Sequence, residues 1–344
     1  MIKDILNKEE LDKLDITALL QTSDKNEIQL IFQKADEVRK EYCGDEIHLR
    51  GIIEFSNYCE QNCLYCGLRN SNKTLSRYRM TKEEIIQTAG KITEAGIKTI
   101  VLQSGEDFYI TAKEIEELIR SIKDEFDSAI TLSLGERNFD EYKIWKDAGA
   151  DRYLLKHETA NEKLYSTFHL GQKLKDRIGH LYYLNSLGYQ IGSGNLIGLP
   201  LQSVEDIADD IILCRELDVD MASFSPFIPS PDTPYRNQKQ ADVDFTLKVM
   251  AVARIVLKNV HIPATTALAT LDEHGRKKGL AAGANVIMPN FTPQNYKEQY
   301  KIYPDKKRDN NYLSGIFDLI TSAGRSISKE HGHTLKRKYY EAGK

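Results

Sequence analysis

The strongest restriction on the fold is a regular alternation of short apolar segments with longer helical ones. Several of the helical segments begin at capping boxes, such as Thr81–Glu84 and Thr111–Glu114, and three end at an Ala-Gly stop. The short apolar segments are the strand candidates. Eight fit: HLRGIIEF (48–55), KTIVLQS (98–104), AITLSLG (129–135), DRYLLKH (151–157), QIGSGNLIGL (190–199), DMASFSP (220–226), HIPATTAL (261–268) and GANVIMP (283–289). This pattern predicts an α/β fold, a (β/α)8 barrel of the TIM type, with an open doubly wound sheet as the alternative.

The chain divides into three expected segments. Residues 1–45 predict a helical amino-terminal extension, in which Ser23 or Asp24 is the candidate N-cap of an amphipathic helix. Residues 46–304 hold the strand candidates and form the predicted barrel. Residues 305–344 are a helical and basic segment that we expect to close the barrel. No linker rich in proline, glycine or serine separates these parts, so one folded domain is the simplest interpretation.

Charge and hydropathy argue against several classes of protein. The 344-residue chain has a formal net charge of −4 with both signs mixed, so no basic field predicts nucleic-acid binding. No apolar run approaches the ~20 residues of a membrane span, and the amino terminus lacks the apolar core of a signal peptide. We therefore expect a soluble, cytoplasmic protein. Because cytosolic thiols stay reduced, clustered cysteines there predict metal or redox chemistry rather than disulfides.

Three of the five cysteines lie close together, after the first strand candidate, in the pattern C-x3-C-x2-C. They are Cys59, Cys63 and Cys66. Structural zinc usually needs four ligands, and His48 and His157 are the candidates that would complete such a site. An Fe–S cluster is normally held by four cysteines, so three around a four-iron cluster would leave one iron open to another ligand. The other two, Cys43 and Cys214, are expected to be ordinary buried thiols.

Polar or glycine-rich clusters follow four further strand candidates: Ser104–Asp107, Gly135–Glu136, His157–Thr159 and Gly198–Pro200. In a (β/α)8 barrel, the carboxyl ends of the strands meet at one face and carry the chemistry. Together with the cysteine loop, these clusters predict an active site at that face.

The cysteine spacing, with Tyr65 just before the third cysteine, resembles the signature of radical S-adenosylmethionine (SAM) enzymes. Further segments narrow the resemblance to the HydE family, the radical SAM maturases of [FeFe]-hydrogenase: LRGIIEFSNYCEQNCLYCGLR, YRMT, IVLQSGED, TLSLGE, DRYLLKHETA, PFIPSPDTP, IPATTA and GANVIMPN. The resemblance to the HydE family covers about residues 40 to 304. Biotin synthase and methylornithine synthase resemble the chain more distantly. The resemblance implies a [4Fe-4S] cluster on the three cysteines, with SAM on the open iron and one-electron cleavage of SAM to a 5′-deoxyadenosyl radical.

The resemblance also implies a SAM site. The residues expected to contact SAM are Tyr65, Ser104, Gly105, Glu106, Ser133, Glu158 and Arg177, with Gly198 and Leu199 supporting the adenine through backbone contacts. Ser104 stands in place of the first glycine of the family's GGE loop, so Gly105 is the residue expected to let the backbone approach the methionyl ammonium. Arg177 is expected to bind the SAM carboxylate, and Glu158 its ribose or amino group. The alternatives are a plain turn at Gly105 and a solvent-exposed Glu158–Arg177 pair.

For the substrate, the resemblance implies a small anionic molecule that is cysteine-derived or iron-bound. The candidates to bind it are Arg50, Thr131, Arg152, His157, Thr265, Thr266, Ala267 and Tyr303. An arginine inside a barrel is costly unless an anion or a carboxylate pairs with it. Because strand residues alternate between faces, either Arg50 or Arg152 can instead face a surrounding helix, and Tyr303 is equally well explained as a packing residue.

The resemblance predicts a HydE-like enzyme of hydrogenase maturation, reduced by a donor such as ferredoxin or flavodoxin and working with other maturases. The alternatives are a radical SAM mutase or sulfur-inserting enzyme with an amino-acid-like substrate, and a non-enzymatic zinc or iron–sulfur carrier. No cysteine follows Cys214, so the second, cysteine-bound cluster that some HydE proteins carry near the carboxyl terminus is excluded. His331 and His333, and the basic segments KKR and LKRKYY, are expected to be solvated.

Overall fold

Parallel pairing of the strand candidates organises the fold. The computed structural model describes residues 1–304 and 312–336. Its strands are β1 (Glu46–Leu49), β2 (Gly51–Ser56), β3 (Thr99–Ser104), β4 (Ala129–Ser133), β5 (Arg152–Leu154), β6 (Gln190–Ile197), β7 (Met221–Pro226), β8 (Val286–Ile287) and β9 (Ser326–Ile327). Six form one sheet in sequence order, β2-β3-β4-β5-β6-β7, and three form a second in the order β8-β1-β9. All pairings are parallel, which confirms the predicted α/β fold at this level.

Helices connect the strands, and their bounds follow the predicted caps. They are α1 (Ile2–Leu6), α2 (Lys13–Gln21), α3 (Lys25–Cys43), α4 (Lys82–Glu94), α5 (Ala112–Glu125), α6 (Phe139–Asp147), α7 (Glu162–Phe168), α8 (Leu174–Ser186), α9 (Val204–Glu216), α10 (Val243–Leu257), α11 (Thr266–Leu271), α12 (Gly275–Ala281), α13 (Gln294–Lys297) and α14 (Tyr312–Ser322). The capping boxes at Thr81 and Thr111 are confirmed. Asp24, rather than Ser23, caps α3 by accepting the amide hydrogens of Asn26 and Glu27.

Two strand candidates differ from their predictions. The first is divided at Arg50 into β1 and β2, which belong to different sheets. The segment 261–268 contributes only isolated bridges, because the Thr265 side chain accepts the Leu268 amide hydrogen and so begins α11. Parallel bridges join Met221 to His261, Pro263 to Val286 and Ile52 to Asn290, and they lie between the two sheets.

Residues 326–336 lie across the amino ends of the strands. Strand β9 pairs with β1. The backbone carbonyl oxygens of residues 331–333, which follow β9, accept hydrogen bonds from side chains near the amino ends of the other strands. Thr99 Oγ1 and Arg152 Nη2 donate to His331 O, Arg50 Nη2 donates to Gly332 O, and His261 Nε2 donates to His333 O. The backbone of the HGH segment is therefore bound against the strands, whereas the His333 side chain is exposed as predicted and that of His331 is half-buried. The KKR segment and residues 337–344 lie outside the described residues.

The apolar faces of strands and helices form one main core, to which the amino-terminal helices add their own apolar residues. Helix α2 packs on α9 and α10, and α3 packs on α10. Cys214 is buried, as predicted, whereas Cys43 is half-buried and its sulfur accepts a hydrogen bond from Arg254. Among the described helices, none combines the length and the apolar character that a membrane crossing requires.

Candidate active site

The cysteine loop follows β2 and is tied together by one arginine. The Arg77 guanidinium donates hydrogen bonds to the carbonyl oxygens of Asn57, Leu68, Arg69 and Asn72. The Asn57 side chain adds bonds of 2.8 and 2.9 Å to two further carbonyls. Sequence reasoning missed Arg77, because a guanidinium that binds main-chain carbonyls leaves no motif. The protein itself therefore determines the shape of this loop.

The three thiols of the loop are free and half-buried. Burial raises the pKa of the Cys63 thiol well above its usual range, and repulsion by the other two thiolates adds to the effect. Burial and the charge of Cys59 likewise raise the pKa of Cys66, to about 12. Neighbouring thiolates need a cationic partner, and a metal group supplies one. The site therefore fits a metal group whose fourth ligand comes from outside the cysteines.

The histidines that would complete a zinc site lie elsewhere. His48 packs edge-on against His261 near the amino ends of the strands, with ring centroids 5.0 Å apart. His157 is fully buried, with Nδ1 2.9 Å from Ser193 Oγ and Nε2 3.5 Å from Asp210 Oδ1. Within the described residues, no three His, Cys, Asp or Glu side chains converge on a single-ion site. This geometry gives no support to the zinc alternative.

A cavity of about 350 Å³ lies beside the cysteine loop, at the carboxyl ends of the strands. Twelve of the predicted site residues line it: Cys59, Tyr65, Cys66, Ser104, Gly105, Ser133, Glu158, Arg177, Thr265, Thr266, Ala267 and Tyr303. Eight do not: Arg50, Cys63, Glu106, Thr131, Arg152, His157, Gly198 and Leu199. Thiols, expected SAM residues and the expected substrate residues around the start of α11 thus share one space.

Gly105 lies directly against the cysteine loop. A Cβ atom there would be 2.3 Å from the Tyr58 carbonyl oxygen and 2.7 Å from the Cys59 Cβ. The neighbouring amide of Glu60 donates to the Glu106 carbonyl at 3.0 Å, so the two loops are also joined by a hydrogen bond. Glycine is required here because only a residue without a side chain lets the two backbones come this close.

Arg177 presents a fixed positive charge to the cavity. It is buried, its Nε donates to Tyr165 Oη at 3.1 Å, and the same nitrogen lies 2.7 Å from Glu136 Oε1, although not in hydrogen-bond alignment. Glu106 Oε1 lies 3.7 Å from its Nη2. Burial lowers the pKa of Arg177, but Tyr165 and the two carboxylates outweigh burial and hold it above its usual range. Arg177 is therefore charged and oriented.

Glu158 is held in an unusual backbone conformation. Its φ of 65° is in the left-handed region, which costs a non-glycine residue about 1–3 kcal/mol. Backbone bonds to Gly194 and Leu196 stabilise this conformation, and the Glu158 carboxylate lies 2.9 Å from Lys156 Nζ inside the cavity. Sequence reasoning missed Lys156, which lies two residues past the end of β5 and lines the cavity together with Leu154 and Leu155.

Asp210, on α9, connects the loop of Glu158 to the predicted adenine segment. It is fully buried and accepts hydrogen bonds from the Ala160 amide and, at 2.6 Å, from Asn195 Nδ2. Nearby, Gln202 Oε1 accepts the amide hydrogens of Gly198 and Leu199 at 2.8 and 3.3 Å. Neither of those two residues lines the cavity, and Leu196 lines it instead. The contact predicted for Gly198 and Leu199 remains a prediction.

The predicted substrate residues of the lower strands are separated from this space. Arg50 and Thr131 line a smaller cavity of about 30 Å³ that shares Leu154 and Ser223 with the larger one. Arg152 lines neither cavity, because its guanidinium binds the His331 carbonyl at 2.6 Å. His157 lines neither cavity, and its buried ring lies against Ser193 Oγ instead. This geometry does not support substrate contacts for those last two residues.

Comparisons with known proteins identify the relatives of this chain. Residues 53–214 match the model of the Radical SAM superfamily. The chain is 45% identical over 331 residues to the [FeFe] hydrogenase maturase subunit HydE of Thermotoga maritima, covering 95% of each protein. It is 30% identical over 275 residues to 3-methylornithine synthase of Methanosarcina acetivorans, covering 79% of this chain and 77% of that protein. The crystal structure of methylornithine synthase has the same fold, with a TM-score of 0.86, 24% identity and 99% of each chain covered.

Proposed function

Because this chain belongs to the HydE family of the radical SAM superfamily, we propose that Cys59, Cys63 and Cys66 hold a [4Fe-4S] cluster and that the chain cleaves SAM. Members of the superfamily are enzymes that use this cluster and SAM. When bound and reduced, the cluster supplies the electron that converts SAM to methionine and a 5′-deoxyadenosyl radical. The observation that carries the proposal is the opening of the cysteine loop onto a cavity that also presents Glu158 and Arg177.

Within this cavity, the chain's own residues would bind and orient SAM. Arg177 is charged and rigidly held, so it suits the methionyl carboxylate. Glu158 suits the ribose hydroxyls or the amino group, and its strained backbone keeps the carboxylate aimed at the cavity. Gly105 lets backbone carbonyls approach the methionyl ammonium beside Cys59. Fixing the cofactor in this way costs little reorganisation during the reaction.

The proposal includes a closed barrel. The bridges of Met221 with His261, Pro263 with Val286 and Ile52 with Asn290 support closure, since they lie between β7 and β2 where a barrel has to join. In this arrangement residues 46–304 form the barrel, residues 1–45 form an extension against α9 and α10, and residues 326–336 cover the amino ends of the strands.

For the substrate, we propose a small anionic cysteine-derived or iron-bound molecule, as in hydrogenase maturation. Lys156 provides a positive charge inside the cavity, and Thr265 and Thr266 provide hydroxyls at its wall. Arg50 and Thr131 extend this polar lining into the smaller cavity, where Arg50 Nε and Thr131 Oγ1 are buried without a hydrogen-bond partner. The donor of the electron would be a ferredoxin or a flavodoxin, and other hydrogenase maturases would supply or receive the iron compound.

The test is anaerobic reconstitution with iron and sulfide, followed by SAM and dithionite. We expect about four irons per chain and the release of 5′-deoxyadenosine. Cys63→Ala is expected to abolish both, whereas Cys43→Ala, outside the loop, is expected to retain both. A Cys63→Ala protein that cleaves SAM normally would contradict the assignment. For the role in maturation, activation of an [FeFe]-hydrogenase apoprotein by the other maturases is measured with and without this chain.

A second candidate function rests on the likeness to 3-methylornithine synthase. It keeps the cluster and SAM but assigns an amino-acid-like substrate to the same cavity. Analysis of products for 3-methylornithine after incubation with amino acids, SAM and reductant distinguishes this candidate from the maturase. An iron–sulfur carrier, the non-enzymatic alternative, would bind the cluster but release no 5′-deoxyadenosine.

A further inference from the structure

A second cleft, of about 710 Å³, lies beside the cysteine loop but shares no lining residue with the active-site cavity. One wall is the continuation of the loop, residues 69–74, and the other is residues 231–236 after β7. Leu68 and Ile228, which precede these two walls, line the active-site cavity. The cleft therefore lies next to the active-site cavity but opens separately at the protein surface. Both walls belong to segments that carried the family resemblance, GLR and PFIPSPDTP, and the proposed chemistry does not use the cleft.

Arg69 lines this cleft, and none of residues 1–304 and 312–336 pairs with its guanidinium. Its residue exposure is 8%, and its Nε is buried without a hydrogen bond. No carboxylate among the described residues lies within ion-pair distance of its guanidinium, although Asp232 lines the same cleft. An unsatisfied buried polar group costs about 1–3 kcal/mol, and more when it is charged. A buried arginine that opens on a cleft without a partner therefore indicates an anionic ligand from outside the chain.

The charge and the exposure of the cleft define that ligand further. Three cations, Arg69, Lys73 and Arg236, line it against one carboxylate, Asp232. Lys73 and Arg236 are exposed, as are most of the remaining wall residues. Small-molecule sites enclose most of their ligand, whereas this cleft has a buried floor and open walls. Its shape suits carboxylates that project from the surface of another protein.

The position of the cleft identifies the class of partner. Arg69 lies three residues after Cys66, and Asn72 Nδ2 bonds the Gly67 carbonyl at 2.8 Å, so this wall is continuous with the thiol loop. We propose that the cleft docks a small acidic electron-transfer protein, with one of its carboxylates on Arg69. The partner loses one electron, and the cleavage of one SAM consumes it. This inference rests on the proposed function, because it presupposes a cluster to be reduced.

The test compares two reductants on reconstituted enzyme. The variant Lys73→Glu/Arg236→Glu is assayed for 5′-deoxyadenosine formation with dithionite and, separately, with a reduced bacterial ferredoxin. With ferredoxin at limiting concentration, we expect the rate of 5′-deoxyadenosine formation to fall about 10-fold or more in this variant. The difference from the unsubstituted protein should become smaller at high salt, because salt screens the electrostatic attraction. With dithionite, which needs no docking, we expect the unsubstituted rate. Arg69→Gln is expected to show the same selective loss.

The matched control is Lys40→Glu/Lys113→Glu, which changes the net charge equally at exposed positions of α3 and α5. Ferredoxin-dependent rates that fall no further in the cleft variant than in this control would overturn the inference. An equal loss with both reductants would overturn it as well, since that outcome means damage to the site. If the unsubstituted protein cleaves no SAM even with dithionite, the proposed function itself has failed. The two failures are therefore distinguishable.

Discussion

Replacing Gly105 with alanine is expected to weaken SAM binding by a predictable amount. The added Cβ would lie 2.3 Å from the Tyr58 carbonyl oxygen and 2.7 Å from the Cys59 Cβ. Neither contact can be relieved by rotating a flexible side chain, so the loop of Gly105 or the cysteine loop has to move. Overpacking of a close contact typically costs about 1–3 kcal/mol. If that cost falls on the SAM-binding conformation, the dissociation constant rises roughly 5- to 150-fold.

The assay is anaerobic calorimetric titration of SAM into reconstituted protein, with iron content and melting temperature measured on the same samples. Gly179 supplies the matched control, because it lies on α8 and a Cβ there would meet nothing within 4 Å. Gly179→Ala is expected to bind SAM like the unsubstituted protein. A Gly105→Ala protein with full iron content and a dissociation constant within about twofold of the unsubstituted value would refute the reasoning.

Three further predictions concern single contacts. Arg177→Lys keeps the charge but loses the fixed guanidinium that bonds Tyr165, so SAM affinity should fall about 10-fold or more while the absorbance of the cluster is unchanged. Asp210→Asn places an amide donor opposite the Asn195 Nδ2 donor, so the free energy of unfolding measured with urea should fall by about 1–3 kcal/mol. An unchanged urea midpoint would contradict the importance of this hydrogen bond. Burial, helped by nearby guanidinium groups, lowers the pKa of His48 from 6.5 to about 4. Since the folded state resists protonation, this group contributes stability that is present above about pH 6.5 and is lost as the pH falls toward 4, up to about 3 kcal/mol. Urea midpoints across that range should depend less steeply on pH in His48→Gln, while the lowered pKa values of His169, His261 and His333 maintain part of the slope.

Local rules were sufficient where the determining residues are neighbours in the chain. In the capping boxes at Thr81 and Thr111, the bonded residues are three positions apart in the chain. The side chain of Asp24 likewise begins α3 by accepting hydrogen bonds from amides two and three positions later. The cysteine loop and the polar strand ends converge because parallel strands bring their carboxyl ends to one edge. Even within this range, Thr265 shows a limit: its capping bond ends a β-rich segment that composition alone assigns to a strand.

Distant partners explain what the sequence did not predict. The charge of Arg152 is satisfied by a carbonyl 179 positions later, so no local pattern shows that its guanidinium is already used. The role of Asp210 is likewise set by the Ala160 amide, 50 positions away, and a buried acceptor of this kind looks like any helix-surface carboxylate in the sequence. Lys156 follows the end of β5, where consecutive residues line the cavity, so strand alternation did not indicate it either.

The pairing of β9 with β1 has a consequence for the order in which the protein can be made. Glu46 pairs with Ser326, so 280 positions separate two residues that share a strand register. During synthesis, β1 emerges early but lacks one of its two neighbours until residues 326–327 have been added. The carbonyl partners of Arg50 and Arg152 lie 282 and 179 positions after them in the chain. Contacts this far apart slow folding and lengthen the time for which unpaired strand edges are exposed. A nascent chain stopped before residue 326 would thus have two buried arginines without those carbonyls, which makes it a substrate for chaperones or proteases.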